Sequence, residues 1–130
     1  VCSSDLGNNI TQDHRVVVCD FWKIDLLMFI NLMDKTKICV STSDEQSTWT
    51  RLKAEYEDKS KIYYCSVATT EREIYALYKG NPEHLEIHCF SQTGDFLRRM
   101  IVKEKIISFD ISGSFMYGLT TDEEIYKYKL

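Results

Sequence analysis

The sequence lacks the features that mark membrane-spanning and nucleic-acid-binding proteins. Its longest apolar stretch, Ile24 to Ile30, is interrupted by Asp25 and is far shorter than the roughly 18 residues of a spanning helix. The formal net charge is −4, and the longest basic cluster is Arg98 and Arg99 within an apolar-alternating run. Because nucleic-acid binders usually show a clustered basic face, we predict no nucleic-acid partner. We interpret the two arginines as part of a solvated strand face.

Proline is nearly absent, with one residue, and no long amphipathic helix pattern is found, whereas 12% of the residues are aromatic. Runs of six to nine residues rich in Val, Ile, Tyr and Phe are typical of β-strands. Ten such runs predict an all-β fold, at residues 14–21, 24–31, 36–41, 61–69, 73–79, 85–91, 96–102, 105–112, 115–120 and 124–130.

Turn-forming residues separate the later runs, and we expect glycine and asparagine to supply a positive φ there. These turns are at residues 79–82, 92–95, 111–114 and 121–123.

The polar stretch 43–60 is ambiguous. Trp49, Leu52 and Tyr56 have helical spacing and Ser47 could cap a first turn, so a short helix and an irregular connector both fit. In either form we expect this polar segment to lie at the surface and to connect two groups of strands.

The strands form a repeat. Tyr75 and Leu77 superimpose on Tyr117 and Leu119 at an offset of 42, and the strands just upstream match at an offset of 44. A period in the forties built from short antiparallel strands is the signature of a β-propeller blade. We therefore predict about three four-stranded antiparallel blades, at approximately 7–43, 61–102 and 103–130, with the connector at 43–60. The third blade lacks a visible fourth strand.

The first six residues, VCSSDL, resemble the translated tail of a sequencing adaptor, so we expect residues 1–6 to be an artefact and 7–130 to be one partial propeller domain. A ring of usual size takes four to eight blades. We therefore expect that the natural protein has further N-terminal blades, which this sequence does not include. The alternative is a small independent β-sheet domain, which requires the adaptor interpretation to be wrong.

Four cysteines remain beyond the first six residues, one in each of four strand-like runs, without the CxxC spacing of zinc or redox sites. We expect all four to be buried small apolar side chains, and disulfides are the alternative. The four cysteines are Cys19, Cys39, Cys65 and Cys89.

The sequence offers no catalytic or metal-binding set. His14, His84 and His88 form no i, i+4 pair on a helix, and we expect His88 to be a surface or strand-pair histidine. No nucleophile or phosphate-loop motif is present, and Ser66 and Ser108 lie in mid-strand. We predict that the protein is not an enzyme and has no catalytic residue, cofactor or metal, and we assign no binding residues.

Aromatic residues could form a carbohydrate platform, but four tyrosines recur at repeat-equivalent places, which indicates packing between blades. These are Tyr63, Tyr75, Tyr117 and Tyr126. Trp22 and Trp49 fall outside the repeat and are better candidates for an exposed platform, although a tryptophan such as Trp49 more often anchors its loop.

From Lys61 onward the pattern resembles the TolB-like six-bladed β-propellers of bacterial envelopes. The motifs that carry the resemblance are Ile74 to Gly80, Ile87 to Phe90 followed by Thr93-Gly94-Asp95, alternating Ile107, Phe109 and Ile111, Met116 to Leu119, and Ile125 to Leu130. A departure is Ser-Gln-Thr-Gly at 91–94, where an aromatic before the glycine would be more usual.

The resemblance implies the C-terminal half of a six-bladed ring in a protein exported to the periplasm or outer envelope, often with a lipid anchor. It implies a non-catalytic role in binding or scaffolding an unknown protein or glycan partner. The alternative function is that of a propeller enzyme, a hydrolase or lyase whose catalytic residues lie in the absent N-terminal blades.

Overall fold

The structure is a computed structural model and describes residues 6–42, 49–58 and 61–130. The described residues form three antiparallel sheets with four, four and three strands. The first sheet contains β1 (Leu6–Ile10), β2 (Val16–Phe21), β3 (Leu27–Asn31) and β4 (Lys37–Val40). The second contains β5 (Tyr64–Thr69), β6 (Glu73–Tyr78), β7 (Leu85–Ser91) and β8 (Phe96–Val102). The third contains β9 (Ile106–Ser112), β10 (Phe115–Thr120) and β11 (Ile125–Lys129).

The predicted all-β fold is confirmed, and each of the ten predicted runs contains one of the strands β2 to β11. The sequence did not indicate β1, because glycine and two asparagines make the segment LGNNI a poor strand former. Pairing with β2, from Leu6 opposite Phe21 to Ile10 opposite Val17, overrides this weak local preference.

The segment between the first and second sheets contains a helix, α1 (Trp49–Glu57), so the helical alternative is correct for these nine residues. Arg51 and Glu55 form an i, i+4 ion pair at 3.2 Å on it. Ser47 and the side chain of Trp49 lie outside the described residues. No helix in the described ranges is long and apolar enough to cross a membrane.

The first strands of the three sheets lie side by side. Strand β5 contacts β1 and β2 on one side and β9 on the other. The Asn9 side-chain amide donates to the Val67 carbonyl at 2.8 Å, and the Thr69 hydroxyl donates to the Ile10 carbonyl at 3.3 Å. The second sheet is therefore the central layer, with β1, β5 and β9 as the inner strands.

Period-two alternation gives the central sheet two apolar faces. Ile74, Ala76 and Phe90 face the first sheet, where the rings of Phe90 and Phe29 meet edge to face at 5.6 Å. Tyr75, Leu77 and Ile87 point the other way, into a second core with the third sheet. At roughly 25 cal/mol per Å² of buried apolar surface, packing between the sheets is the main stabilising contribution that the described fold can supply.

The prediction that the recurring tyrosines pack between sheets is correct for Tyr63 and Tyr75 and wrong for Tyr117 and Tyr126. Tyr117 alternates on β10 with Met116, which is fully buried against the second sheet, so its ring points to the opposite, open face. Tyr126 lies on the outer strand β11 and is 37% exposed, and its hydroxyl donates to Glu124 at 2.8 Å.

The expected positive φ is present at Gly94 and Gly113, with φ of 86° and 60°. The last turn uses Glu123, at φ 63°, instead of a glycine. In the turn after β6 neither Gly80 nor Asn81 has a positive φ, so that expectation is wrong. Gly80 is needed there for space, because a Cβ would collide with the Tyr78 phenol.

Cys65 and Cys89 are buried, as predicted, but Cys19 is half-buried and Cys39 is exposed. The prediction fails for Cys39 because it lies on β4, the outer strand of the first sheet, and its side chain alternates with Ile38 and Val40, which face the second sheet.

Candidate functional site

A cavity of about 780 Å³ opens between the first and second sheets on the side of the connector that carries α1. The outer strand β4 and residues 41–42 form one wall, β7 and β8 form the other, and the β6–β7 turn closes the end. Its lining consists of Val40, Ser41, Thr42, Tyr64, Tyr78, Gly80, Asn81, Pro82, Glu83, Glu86, His88, Phe90, Phe96 and Arg99.

The buried carboxylate of Glu86 is the centre of the cavity's polar network. His88 Nε2 lies 2.8 Å from Oε1, and His84 Nε2 and Asn81 Nδ2 lie 2.9 and 3.0 Å from Oε2. Residues 84, 86 and 88 alternate along β7 and its preceding turn, so their side chains share the face toward the first sheet. Burial by itself raises the pKa of Glu86, but the hydrogen bonds from His88, His84 and Asn81 outweigh it, and the net pKa is lowered.

His88 is buried and hydrogen-bonded at both ring nitrogens. An ionised carboxylate only accepts, so Nε2 carries the proton toward Glu86, and neutral Nδ1 accepts from the Tyr64 hydroxyl at 2.9 Å. The ring stacks on Tyr78 with centroids 4.6 Å apart. Burial lowers the pKa of His88 even though Glu86 acts to raise it, so the imidazole is neutral near pH 7.

A second set of hydrogen bonds fixes the opposite wall. Asp25, in the β2–β3 turn, accepts from the Thr42 hydroxyl and, at 3.2 Å, from the Thr42 backbone N–H. The Thr42 hydroxyl also lies 3.2 Å from the Tyr78 hydroxyl. The Asp25 N–H donates to Glu55 on α1 at 3.3 Å, which ties the helix to this wall.

Two side chains on β8 form the rim. Phe96 is 55% exposed, and its ring meets His88 and Phe90 edge to face, each at 5.7 Å. Arg99 Nη1 lies 3.8 Å from Glu86 Oε2, a long ion pair, and its side chain is 56% exposed. The cavity therefore combines an aromatic mouth with an acidic floor.

The cavity's hydroxyls are not activated nucleophiles. Burial raises the pKa of Tyr64 and of Tyr78, so both are neutral phenols, and both nitrogens of His88 are already engaged. Across the described ranges, no group of three or more His, Cys, Asp or Glu residues is arranged to hold a metal ion. The predicted absence of catalytic residues, cofactors and metals stays a prediction.

Sequence reasoning placed His88 at the surface or in a strand pair. The surface alternative is wrong, because the first sheet covers this face of β7, and the strand-pair alternative is right, because His88 lies opposite Arg99. Glu86 and Asn81 were not singled out. The pattern His84-x-Glu86-x-His88 indicates this cluster in the sequence, since alternation along a strand places all three side chains on one face.

Trp22 is not the exposed platform that the sequence suggested. It is half-buried against the core between the second and third sheets, and Lys23 Nζ lies 5.8 Å from its ring centroid. Its indole N–H is buried without a hydrogen-bond acceptor among the described residues. The other tryptophan candidate, Trp49, has a side chain outside the described residues.

The two arginines are about half exposed, as expected of a solvated strand, but they lie on opposite faces and each pairs with an acid. Arg98 contacts both oxygens of Glu73, at 2.8 and 3.2 Å. This hydrogen-bonded pair lowers the pKa of Glu73 to about 2. Arg98 also lines a smaller cavity of about 160 Å³, together with buried Cys89.

No protein-family model matches the sequence, and no curated protein matches it significantly in sequence. Nine solved chains are similar in structure. The WD40 repeats of RRP9 align with 98% of this chain and 39% of their own at a TM-score of 0.64 and 9% identity. The designed protein Ika4 aligns with 95% of this chain and 64% of its own length, at a TM-score of 0.58 and 11% identity. The Cps50 (Swd1) β-propeller domain of Myceliophteria thermophila aligns with 95% of this chain and 39% of its own length, at a TM-score of 0.57 and 12% identity.

These likenesses agree with the three antiparallel sheets, whose inner strands lie side by side. The chain spans about two fifths to two thirds of the length of these structures. At identities of 9 to 12% the likeness concerns the fold alone. The chain has the β-propeller fold, and its three sheets are propeller blades.

Proposed function

We propose that the protein is a non-catalytic binding module whose cavity between the first and second blades receives a segment of a partner protein. The observation that carries this proposal is the cavity itself. Its volume of about 780 Å³ lies within the range of roughly 300 to 1,000 Å³ of ligand pockets. Apolar and aromatic walls with a few fixed polar groups are typical of such sites.

A protein segment fits the site better than a glycan because β4 borders the cavity. Among the described residues β4 pairs with β3 alone, so the other edge of this strand has no strand partner there. Val40, Ser41 and Thr42, at its end, line the cavity. An extended peptide could add to the β4 edge through main-chain hydrogen bonds and place a side chain in the cavity.

The test is a selection of random 12-residue peptides on the immobilised protein, followed by dissociation constants for two variants. Phe96→Ala removes the aromatic rim and should weaken selected peptides about tenfold or more. Tyr117→Ala removes a ring that is 37% exposed on the open face of the third blade, away from the cavity, and should leave binding unchanged.

Failure to select any saturable peptide, or peptides that bind Phe96→Ala as tightly as the parent, would overturn this function. Binding of an oligosaccharide array that depends on Phe96, without peptide binding, would replace the protein partner with a glycan. Mass spectrometry of the recovered peptides tests the proposal that the module is non-catalytic, since a cleaved peptide would indicate an enzyme.

We further propose that these blades belong to a six-bladed TolB-like propeller that acts in the bacterial envelope. The resemblance of residues 61–130 to that family supports this, and the mild net charge of −4 is compatible with it. Sequencing the source DNA upstream of the Gly7 codon tests it. A reading frame that continues through about three more blades to a signal peptide is expected, whereas a start codon close to Gly7 would contradict it.

A further inference from the structure

We propose that the cavity selects a cationic side chain, arginine or lysine, of the bound peptide, and that Arg99 competes with this side chain for Glu86. This inference rests on the proposed peptide-binding function and specifies its ligand. Four features support it: the charge of the lining, the unused acceptor capacity of Glu86, the aromatic mouth and the position of Arg99.

The cavity presents more negative than positive charge to a ligand. Among the described residues, its lining contains the carboxylates of Glu83 and Glu86 against the one guanidinium of Arg99. Asp25 lies directly behind Thr42, to which it is hydrogen-bonded. His88 does not offset these charges, because burial lowers its pKa and keeps the ring neutral. A positively charged group therefore gains electrostatic energy on entering, and an anion loses it.

Glu86 has acceptor capacity left for such a group. A carboxylate offers about four lone-pair sites. Oε1 accepts one hydrogen bond, from His88, and Oε2 accepts two, from His84 and Asn81. The donors of a guanidinium or an ammonium would complete the set. The three existing hydrogen bonds hold the carboxylate in place, so little conformational freedom is lost when the ligand binds.

The mouth of the cavity suits the rest of a cationic side chain. Phe96 and Tyr78 both line the cavity, and Phe96, at 55% exposed, presents its ring at the mouth, where an aromatic face can attract a cation. The same chemistry occurs elsewhere in this chain, where Lys127 Nζ lies 4.0 Å from the ring centroid of Phe115. The methylene groups of arginine or lysine can pack on these rings while the charged end reaches the floor.

Arg99 occupies the position from which a ligand would approach the carboxylate. It is close enough to Glu86 for attraction, at 3.8 Å, but too far for a hydrogen bond. More than half of its side chain is exposed, so solvent can accommodate the guanidinium once it is displaced. Removal of Arg99 should therefore strengthen the binding of a cation, whereas an anion site would lose the one cationic residue that the described part of the chain contributes to the lining.

The probes are four nine-residue Gly-Ser peptides that carry arginine, lysine, citrulline or glutamate at the centre. Their binding to the immobilised protein is measured by surface plasmon resonance at low and high salt. Citrulline has nearly the shape of arginine without its charge. We expect the arginine and lysine peptides to bind at least about tenfold more tightly than citrulline. Their affinity should fall with salt.

Two charge-matched variants locate the effect. Arg99→Gln should tighten the arginine peptide about threefold to tenfold. Arg72→Gln removes the same charge in the β5–β6 turn, away from the cavity lining, and should change affinity little. Glu86→Gln should abolish the preference for arginine over citrulline, with the melting temperature recorded to confirm that the variant is folded.

Equal binding of arginine and citrulline peptides, weaker arginine binding in Arg99→Gln, or tightest binding of the glutamate peptide would overturn the proposal. Absence of arginine-peptide binding up to about 10 mM would do the same. If selected peptides that depend on Phe96 contain no basic residue, the cation preference fails and the peptide-binding function stands. If no peptide depends on Phe96, the function itself fails.

Discussion

His88 donates its Nε2–H to Glu86 across 2.8 Å, and both side chains are buried at the junction of the first two blades. The other ring nitrogen accepts from Tyr64, which lies in the same core. One imidazole thus connects an acidic group facing the cavity to a fully buried phenol. This connection couples the cavity to the packing between the blades.

Replacing His88 with alanine is expected to destabilise the protein substantially. The change leaves the Tyr64 hydroxyl and one oxygen of Glu86 without their partner and creates a void beside Tyr78. We expect a loss of about 2 to 5 kcal/mol in the free energy of unfolding, measured by urea denaturation. Lys61→Ala, at an exposed position, should stay within about 0.5 kcal/mol and serves as the control. A His88→Ala cost as small as the control's would contradict the hydrogen-bonded network.

Stability should fall as the pH drops from 7.5 to 5.5. Burial lowers the pKa of His88 below its ordinary value of 6.5. The charges of Glu86 and Asp25 act to raise this pKa, and the charge of Arg99 acts to lower it further. The unfolded chain then binds the proton first. The stabilisation from neutral His88 is therefore complete above about pH 6.5 and is lost as the pH falls toward the folded-state pKa.

Glu86, whose pKa is also lowered, adds a further loss below its ordinary value of 4.5. Thermal melting at pH 7.5, 6.5 and 5.5 measures the loss of stability that we attribute to His88. His88→Gln should melt lower overall but with a smaller change over this pH interval. An unchanged pH slope in His88→Gln would assign the acid sensitivity to another group.

Gly118 on β10 leaves room for Ile106 on the neighbouring strand β9 of the same blade. A Cβ at this position would lie 2.7 Å from Ile106 Cγ2, whose side chain is buried in the core. Gly118→Ala should cost about 1 to 3 kcal/mol in the free energy of unfolding. The same substitution should cost about 1 kcal/mol less in an Ile106→Ala background, since the clashing methyl is gone.

Gly113 provides a contrast because it needs glycine for its backbone alone. Its φ is 60°, and a Cβ there would meet nothing within 4 Å. Gly113→Asn should be tolerated with a small loss, since asparagine adopts the left-handed region more readily than other residues. A Gly118→Ala variant as stable as Gly113→Asn would show that β9 and β10 accommodate the methyl group.

The four thiols should differ in reactivity. Cys39 is exposed and should react first with iodoacetamide under native conditions, followed by half-buried Cys19, whose pKa burial raises. Cys65 and Cys89 should be protected until unfolding, and burial raises the pKa of Cys89 to about 11. Peptide mapping by mass spectrometry gives the order. Labelling of Cys89 as fast as Cys39 would be inconsistent with the core between the second and third blades.

The strands were predictable because period two and β-branched residues are local signals. The segment of β1 has no period-two alternation of apolar residues and Ile10 as its one β-branched residue, and pairing with β2 makes it a strand. Burial was less predictable, since it depends on which faces another sheet covers. Tyr75 and Tyr117 are equivalent in the repeat, yet one is 3% and the other 37% exposed.

The candidate site was predictable only in part. The alternation of His84, Glu86 and His88 indicates a shared face, but the sequence does not say that this face meets Thr42 across the junction. The cavity is formed by segments about 40 residues apart in the chain, and no local pattern encodes its shape. Glycine at position 80 is similar, because the contact with the Tyr78 phenol that excludes a Cβ arises only in the folded turn.

The 130-residue chain, expressed by itself, is expected to self-associate. Tyr75 and Leu77 are 3% and 0% exposed beneath the third blade, whereas Tyr117 and Leu119, at the equivalent places on that blade, are 37% and 38% exposed. Ile125, opposite Leu119, is 70% exposed. An apolar sheet face of this kind, next to the open edge of β11, promotes association with other chains.

Light scattering after size exclusion should therefore show a mass that rises with concentration. The double substitution Leu119→Lys and Ile125→Lys should shift the chain toward the monomer, because two charges would be buried in any face-to-face contact. Ile101→Lys, which adds a lysine at an exposed position on β8, should have a smaller effect. A sharp, concentration-independent monomeric melting transition of the parent chain would contradict this prediction, and it would mean that three blades are stable with this face in water.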